Sequence, residues 1–413
     1  MRQRDPKVTS QWAESEVFPL FFEISAFISS TIKAMKVEGL IERSGCVLTQ
    51  NRDLEFLHSF KDFPIFMGCT SRPLAEDLHE DMNWFISRSS GVIQLNPLIP
   101  PEILYANAHN EALGGVWTQH HAEFSAFISQ FKPKSIIEMG GANALLAKNY
   151  LKQNPTAEWT LVDPNAGESN DLRIRKISGF VDSRFRVKGS FDAIVQSHLF
   201  EHLYQPSEFM ESISNQTRTG QYLFFSIPNM RSLLSQSYLN CLNFEHTVFL
   251  DDDHICSLLK RSDFEILEKK HFMDHSIFYA AVKTTKRPQP PFSNLYDQNK
   301  KMFLNFIDTY SKWVSETNKR IVHENLPIWL FGGHIFSQFL ISFGLNTSKV
   351  HGILDNGQLK IGKRLYGTSF SVESPQILKG KGPAIVILKA ASYNTEIKRQ
   401  ILETVNDQVI FWE

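Results

Sequence analysis

The sequence predicts an α/β chain with two Rossmann-like units and a small, mostly β N-terminal region. Three observations carry this. Ser135–Met139 is a short apolar run that meets Gly140 and Gly141 and then a helical pattern from Ala142 to Tyr150. Strand and helix patterns alternate from Ser135 to about Lys283, which argues a parallel sheet with crossover helices. A second strand, glycine turn and helix follow at Ile328–Ile335, with a further strand at Val350–Asp355.

The first glycine turn sets the chemistry. Gly140 and Gly141 let the backbone turn sharply and approach a ligand. Glu138 is placed where its carboxylate can face a cationic ligand, and Trp159–Asp163 is a strand ending in an acid suited to a ribose diol. The spacing does not complete G-x-G-x-x-G, which disfavours a pyrophosphate loop. An S-adenosylmethionine pocket, holding an adenosine and a charged methionine but no phosphate, fits better.

Bulk composition narrows the class. A chain of 413 residues has room for two or three domains. With 42% hydrophobic and 21% charged residues it is an ordinary globular composition. A net charge of −1 steers it toward neither nucleic acid nor an acidic membrane surface. Cys46, Cys69, Cys241 and Cys256 are few and irregularly spaced, so a reducing cytoplasm is expected. The N-terminus meets Asp5, Glu14 and Glu16 before its apolar run and reads as a poor signal peptide. The apolar run Ile328–Leu345 carries Gly332, Gly333, His334 and Gln338, a strand-turn-helix pattern with no membrane span.

In chain order, residues 12–35 read as an amphipathic helix for packing or homo-oligomerisation. Residues 40–104 hold short β-like runs such as Phe63–Gly68 and Gly91–Leu95, ended by the proline-rich Asn96–Pro101. Ile103–Gln130 reads as helix, on which the adjacent His120 and His121 point apart and take surface or capping roles. Strands are expected at Ser135–Met139, Trp159–Asp163, Phe191–Gln196, Tyr222–Ile227, Phe264–Lys270 and Ile277–Lys283. Thr284–Pro291 is the clearest linker, followed by a long helix from about Tyr296 to Glu324. Further strands are expected at Ser371–Val372 and Ala384–Leu388, with a last helix at Asn394–Val405.

Two later stretches could do chemistry. Phe191–His202 runs from a buried strand into a segment holding His198, Glu201 and His202 at the ligand edge of the sheet. Asn243-Phe244-Glu245-His246-Thr247 offers an adjacent carboxylate and imidazole, a general base near neutral pH with a partner to orient it.

These stretches together resemble the sugar C-methyltransferase family, which acts on nucleotide-linked deoxy-keto sugars. The resemblance rests on Glu138-Met139-Gly140-Gly141-Ala142-Asn143-Ala144, on Val162-Asp163-Pro164 and on Asn243-Phe244-Glu245-His246. Phe331-Gly332-Gly333, Asp355-Asn356 and Ser392-Tyr393-Asn394-Thr395-Glu396-Ile397 echo its C-terminal domain. It implies three domains: a degenerate zinc-type domain with the N-terminal helix (1–104), a class I S-adenosylmethionine-dependent methyltransferase domain (105–288) and a Rossmann-like domain (289–413). It implies cofactor contacts from Glu138, Gly140, Gly141, Asn143, Asp163, Gly179, Phe180 and His198. His246 becomes the base, Glu245 its orienting group and Asn243 a substrate-side residue.

The departures from that family are specific. Its zinc site needs two C-x-x-C pairs, but the corresponding positions are Cys46 with Thr49 and Ser87 with Ser90. One thiolate of four holds no structural zinc. No metal is expected, and apolar packing around Trp84, Phe85, Ile93 and Phe63–Met67 is expected to replace it. Asn243 stands where the family has a catalytic tyrosine, so O- or N-methylation of another small molecule stays open beside C-methylation. A nicotinamide-dependent oxidoreductase using Gly332–Gly333 with Asp355, and a non-catalytic scaffold, are the remaining alternatives.

Overall fold

The computed structural model describes residues 35–106, 115–141, 143–164, 166, 169–181, 184–186, 189–286 and 289–413. The helix expected within residues 12–35 lies outside them but for Met35. The chain opens with β1 (Met35–Lys36), β2 (Leu54–Pro64), β3 (Cys69–Thr70), β4 (Leu78–Ser87) and β5 (Ile93–Leu95). Then come α1 (Gly115–Ser129), β6 (Ser135–Met139), α2 (Leu145–Gln153), β7 (Glu158–Val162), β8 (Ile174–Ile177), β9 (Ala193–Ser197), α3 (Pro206–Gln216) and β10 (Tyr222–Pro228). After β10 the chain forms α4 (Met230–Ser235), β11 (Val248–Phe249), α5 (Asp252–Arg261), β12 (Phe264–Phe272) and β13 (Ser276–Lys283). The remainder is α6 (Tyr296–His323), β14 (Ile328–Phe331), α7 (Ile335–Ser342), β15 (Val350–Leu354), β16 (Arg364–Leu365), β17 (Val372–Glu373), β18 (Ala384–Leu388), α8 (Asn394–Thr404) and β19 (Val409–Trp412).

The central sheet runs β12-β13-β10-β9-β6-β7-β8, all parallel except β13, which is antiparallel to both its neighbours. Ile136, Ile137 and Met139 of β6 are all buried because helices cover both faces. On one face α1 and α2 bring Phe124, Phe127, Leu146 and Tyr150 against Trp159, Phe224 and Phe278. On the other α3 and α5 bring Phe209, Ile213, Ile255 and Leu258 against Ile194, Phe225 and Tyr279. A capping box starts α5: Asp251 accepts from the helix backbone, and Nδ1 of His254 accepts the Asp251 N–H at 3.2 Å.

The C-terminal sheet is wholly parallel, β17-β15-β14-β18-β19. The N-terminal strands β1, β2, β4 and β5 form a third sheet, which takes β11 as its last member. One apolar core runs through this sheet, α6 and the C-terminal unit. Phe60 and Phe63 of β2 meet Phe339 of α7 at centroid distances of 4.9 and 4.6 Å. Arg364 grips the buried Asp77 through two nitrogens at 2.5 and 2.7 Å, and β3 pairs with β16.

Several expectations change. The helix read across Ile103–Gln130 is interrupted: Pro101–Leu104 is a single turn closed by Tyr105, and among the described residues the helix resumes as α1, Gly115–Ser129. His120 is fully buried rather than on the surface, because α1 lays it against Phe272 and Phe278 at 5.4 and 5.1 Å. The positions that the resemblance aligns with zinc ligands are joined by polar contacts rather than filled by apolar groups. Cys46 Sγ and Ser90 Oγ are 3.2 Å apart, and Thr49 Oγ1 and Ser89 Oγ also 3.2 Å, while Ser87 donates to Asp53 at 3.0 Å. Trp84 and Ile93 do pack nearby, with Trp84 4.8 Å from Phe249. No helix among the described residues is long and apolar enough to cross a membrane.

Candidate active site

The first glycine loop leaves β6 at the carboxyl edge of the sheet. Gly140 has φ +80°, and its N–H donates to Val162 O at 2.8 Å. A Cβ on Gly141 would sit 2.3 Å from Leu161 Cδ1 and 2.4 Å from the Glu138 carboxyl carbon, so any side chain here would displace the buried ends of both. Glu138 therefore braces the loop from beneath. It is fully buried, accepts the Trp159 indole N–H at 2.8 Å, and burial raises its pKa to about 8. That differs from the expected carboxylate facing a cation: the Glu138 side chain turns to Trp159 on the neighbouring strand β7.

Asp163 ends β7, largely buried, and its carbonyl lies 3.4 Å from the Gly179 N–H. A Cβ on Gly179 would meet nothing within 4 Å, and the Phe180 ring beside it is half exposed. Asn143 is exposed at the loop's end, its carbonyl 3.5 Å from Lys148 Nζ. Ala142 lies outside the described residues. An acid, an open glycine, an apolar ring and a positive-φ glycine on adjacent strand ends fit an adenosine with its ribose diol.

On the same edge, β9 ends in a cluster of titratable groups. His198 adopts φ +52° and places Nδ1 3.1 Å from Glu201 Oε1. Glu201 is buried, and burial raises its pKa. One ring nitrogen each of His202 and His246 and one oxygen of Glu201 all lie within 4.8 Å of one another. His202 Nδ1 is 3.2 Å from the Tyr105 hydroxyl and 3.9 Å from Glu245 Oε2. Tyr105 also sits 6.5 Å from Phe180, ring to ring, so it links this cluster to the candidate adenine edge.

His246 is oriented by its own loop. Its Nδ1 lies 2.9 Å from the Cys241 carbonyl, which makes Nδ1 the donor and leaves Nε2 as the acceptor. Burial lowers its pKa, with Glu201 opposing, so the ring is neutral near pH 7. Two expected roles shift here. The Cys241 carbonyl holds His246, while Glu245 reaches toward His202. The Asn243 carboxamide oxygen accepts the N–H groups of Glu245 and His246, both at 2.8 Å, and so shapes the loop. An asparagine folds its side chain back onto the backbone in this way.

The loop is held from behind by other units. Phe244 packs 6.3 Å from Phe63, and Leu239 and Leu242 enter the core shared with α6 and α7. Arg43 is buried and donates to Thr247 O at 2.7 Å, Tyr204 O at 2.9 Å and Leu95 O at 3.1 Å. It thus ties the residue after His246 to the segment after His202, and burial lowers its pKa to about 9. Tyr105 and Arg43 escaped the sequence reading. Neither lies in a motif, and Arg43 carries no local signal at all.

In the C-terminal unit, Asp355 accepts the N–H of Gly333 at 2.8 Å and of Gly357 at 2.7 Å. A Cβ on Gly333 would lie 3.0 Å from Cys69 Sγ. The acid and the glycine turn there satisfy each other beneath an N-terminal side chain, which weighs against the nicotinamide alternative.

The seven-stranded sheet with one antiparallel strand, and a glycine loop at its carboxyl edge, form a Rossmann-like α/β unit of the kind that class I methyltransferases use. Residues 110–269 match the family described as methyltransferase domain. No curated protein matches the chain in sequence. Among solved structures, human N-acetylserotonin methyltransferase in complex with SAM is 16% identical, over 45% of this chain and 63% of that one, with a TM-score of 0.34. The N,N-8-amino-8-demethyl-D-riboflavin dimethyltransferase of Streptomyces davawensis is 16% identical over 41% and 55%, with a TM-score of 0.34. The plantazolicin methyltransferase BpumL, in complex with a monoazolic desmethylPZN analog and SAH, is 16% identical over 41% and 84%, with a TM-score of 0.33. The chain spans about three fifths of the length of the first of these, and likenesses this distant say nothing of its acceptor.

Proposed function

We propose that this protein transfers a methyl group from S-adenosylmethionine to a small-molecule acceptor that His246 deprotonates. The observation that carries the reading is the His246 ring: Nδ1–H committed to the Cys241 carbonyl, which leaves Nε2 the acceptor, and the ring kept neutral by burial. S-adenosylmethionine supplies a methyl group already activated on a sulfonium. The chain's own part is to hold the acceptor, exclude water and take one proton. Asp163 would hold the ribose hydroxyls, with Phe180 and Gly179 beside the adenine. Positioned proton removal contributes about 10²–10⁴-fold.

The finer reading is C-methylation of a nucleotide-linked sugar, with His246 taking the proton alpha to a ketone. The motif Asn243–His246, and the family it resembles, support it. In this reading the C-terminal unit holds the acceptor's carrier. For a hydroxyl acceptor the same histidine would take the hydroxyl proton.

Calorimetric titration with S-adenosylmethionine and S-adenosylhomocysteine tests the cofactor. Micromolar binding by the intact chain, lost in Asp163→Ala, is expected, and absence of binding sinks the reading. A screen of nucleotide-sugar acceptors, with His246→Ala as control, then tests the substrate class.

One observation favours a second reading. The Glu201, His202 and His246 atoms within 4.8 Å of one another suit a divalent cation. Turnover that survives exhaustive chelation keeps His246 as base. Turnover that chelation abolishes and one added metal restores makes His246 a ligand instead.

A further inference from the structure

We infer that a cavity beside the carboxyl end of β10 binds a small apolar molecule that carries a carboxylate. The inference goes beyond the methyl-transfer reading and does not rest on it. The cavity measures about 350 Å³. Its floor is Ile227 and Pro228 at the end of β10, Met230 at the start of α4, Leu250 ahead of α5 and Ile277 near the start of β13. All five are buried. An apolar protein cavity of about 150 Å³ holds one benzene, so this one has room for about two fused rings.

The polar lining is of one hydrogen-bonding kind, because its acceptors are used up inside the protein. Asp251 Oδ1 accepts Arg231 Nε at 3.0 Å and Nη2 at 2.9 Å. Its Oδ2 accepts Asn299 Nδ2 at 2.7 Å, and the same side chain caps the backbone of α5. Asp252 accepts Lys269 Nζ and the Tyr279 hydroxyl, both at 2.7 Å. The Asn229 carboxamide oxygen accepts the Ser232 N–H at 3.2 Å, and Ser232 Oγ accepts Gln236 Nε2 at 2.7 Å. Donors are left over. Among the described residues, Nη1 of Arg231, Nδ2 of Asn229 and the Ser232 hydroxyl proton have no protein acceptor.

Spare donors around a guanidinium select a ligand that brings acceptors, and the apolar floor selects one whose remainder is hydrocarbon. A carboxylate on an apolar body meets both demands. Asp251 is compensated by the α5 N-terminus as well as by Arg231, so the outer edge of the guanidinium keeps its pull on an anion. The guanidinium is also held in place. Its Nη2 reaches Asn299 Oδ1 at 3.4 Å, and the buried Asn299 is tied in turn to Gly91 O at 3.0 Å. A side chain already fixed loses little freedom when a ligand arrives. A much smaller cavity on the same Ile227, Pro228, Met230 and Leu250 also touches Phe200 and Glu201. The ligand thus lies one layer of side chains from the end of β9, and neither Asp163 nor Phe180 lines its cavity.

The test is a ligand-observed magnetic resonance titration of the full chain with 2-naphthoate, beside its uncharged isostere 2-naphthamide and inorganic phosphate. Naphthoate should bind about tenfold more tightly than naphthamide, and phosphate should not bind. Arg231→Gln should weaken naphthoate about tenfold. Ser235→Trp, at the exposed rim, should close the cavity and abolish binding. Amide spectra confirm that each variant is folded. Naphthoate that fails to bind up to its solubility limit, or that binds Ser235→Trp as it binds the parent, overturns the site. Equal affinity for naphthoate and naphthamide, binding of phosphate as tight as that of naphthoate, or no change in Arg231→Gln overturns the ligand class. If Arg231→Gln does not fold, the three ligands on the parent chain and Ser235→Trp decide alone. The readout needs no S-adenosylmethionine. A failed site therefore leaves the methyl-transfer reading standing, and failed cofactor binding leaves the naphthoate result as it is.

Discussion

Arg43 donates to the carbonyl of Thr247 at 2.7 Å across a sequence separation of 204 residues, so the N-terminal region fixes the position of the residue next to His246. Its guanidinium also reaches Tyr204 and Leu95, a spread of acceptors that a single ammonium cannot cover. Arg43→Met should leave buried carbonyls unpaired and cost on the order of 3 kcal/mol. Arg43→Lys should recover only part of that. Urea unfolding measures the loss, and kcat should fall further than KM rises, because the proposed base, His246, is displaced while the acceptor contacts remain.

Asn243 gives a sharper separation of loop shape from chemistry. Asn243→Ala removes the acceptor for two backbone N–H groups and should cost about 1–2 kcal/mol. Asn243→Asp retains a carboxylate oxygen in the same place and should hold both stability and kcat near the parent. If Asn243→Asp loses activity as fully as Asn243→Ala while staying folded, the side chain contacts substrate after all.

His120 is fully buried among aromatic rings with both nitrogens unpartnered. Burial depresses its pKa, as it does for His198 and for His275, the last to about 4. Below pH 6.5 the unfolded chain binds protons at these rings and the folded chain does not, so stability falls as pH drops from about 6.5 toward 4. His120→Phe removes one such group and fits the ring environment. It should raise Tm at neutral pH and shift the acid-unfolding midpoint downward. A lower Tm would show that His120 serves a purpose beyond packing.

Glu138 predicts the opposite slope in a different window. Its folded pKa of about 8 exceeds the usual carboxylate value, so between pH 4.5 and 8 the folded chain holds a proton that the unfolded chain has lost. Stability from this group therefore declines as pH rises through that range and levels off above pH 8. Glu138→Gln keeps an acceptor for Trp159 and should abolish that decline. Subtracting the two urea profiles from pH 6.5 to 9 isolates the effect, since the depressed histidines cancel between the two proteins.

The sequence was most legible where local pattern and burial agree. Ser135–Met139, the Gly140–Gly141 turn, Asp163 at its strand end and the long helix from Tyr296 all fall where periodicity puts them. β8 was missed because Ile174–Ile177 (Ile-Arg-Lys-Ile) is only four residues at the sheet's edge, with two adjacent charges that break the two-residue period of a strand. β19 was missed because it follows α8 after a short turn and is only half apolar-facing. The cluster of His198, Glu201, His202 and His246 was visible as two separate stretches, and only the fold brings them together. Side-chain purpose was the least legible. Glu138 and Asn243 are polar residues in the right stretches, yet one supports a loop and the other shapes one.

Strand β11 lies inside the methyltransferase stretch of the sequence but completes the N-terminal sheet by pairing with β5. Grafting that stretch onto another scaffold would carry β11 away without its partner strand and bare the apolar side of Val248 and Phe249. Exchange of whole cassettes between relatives of this architecture thus demands a matched N-terminal sheet, and hybrids cut at the apparent sequence borders should aggregate.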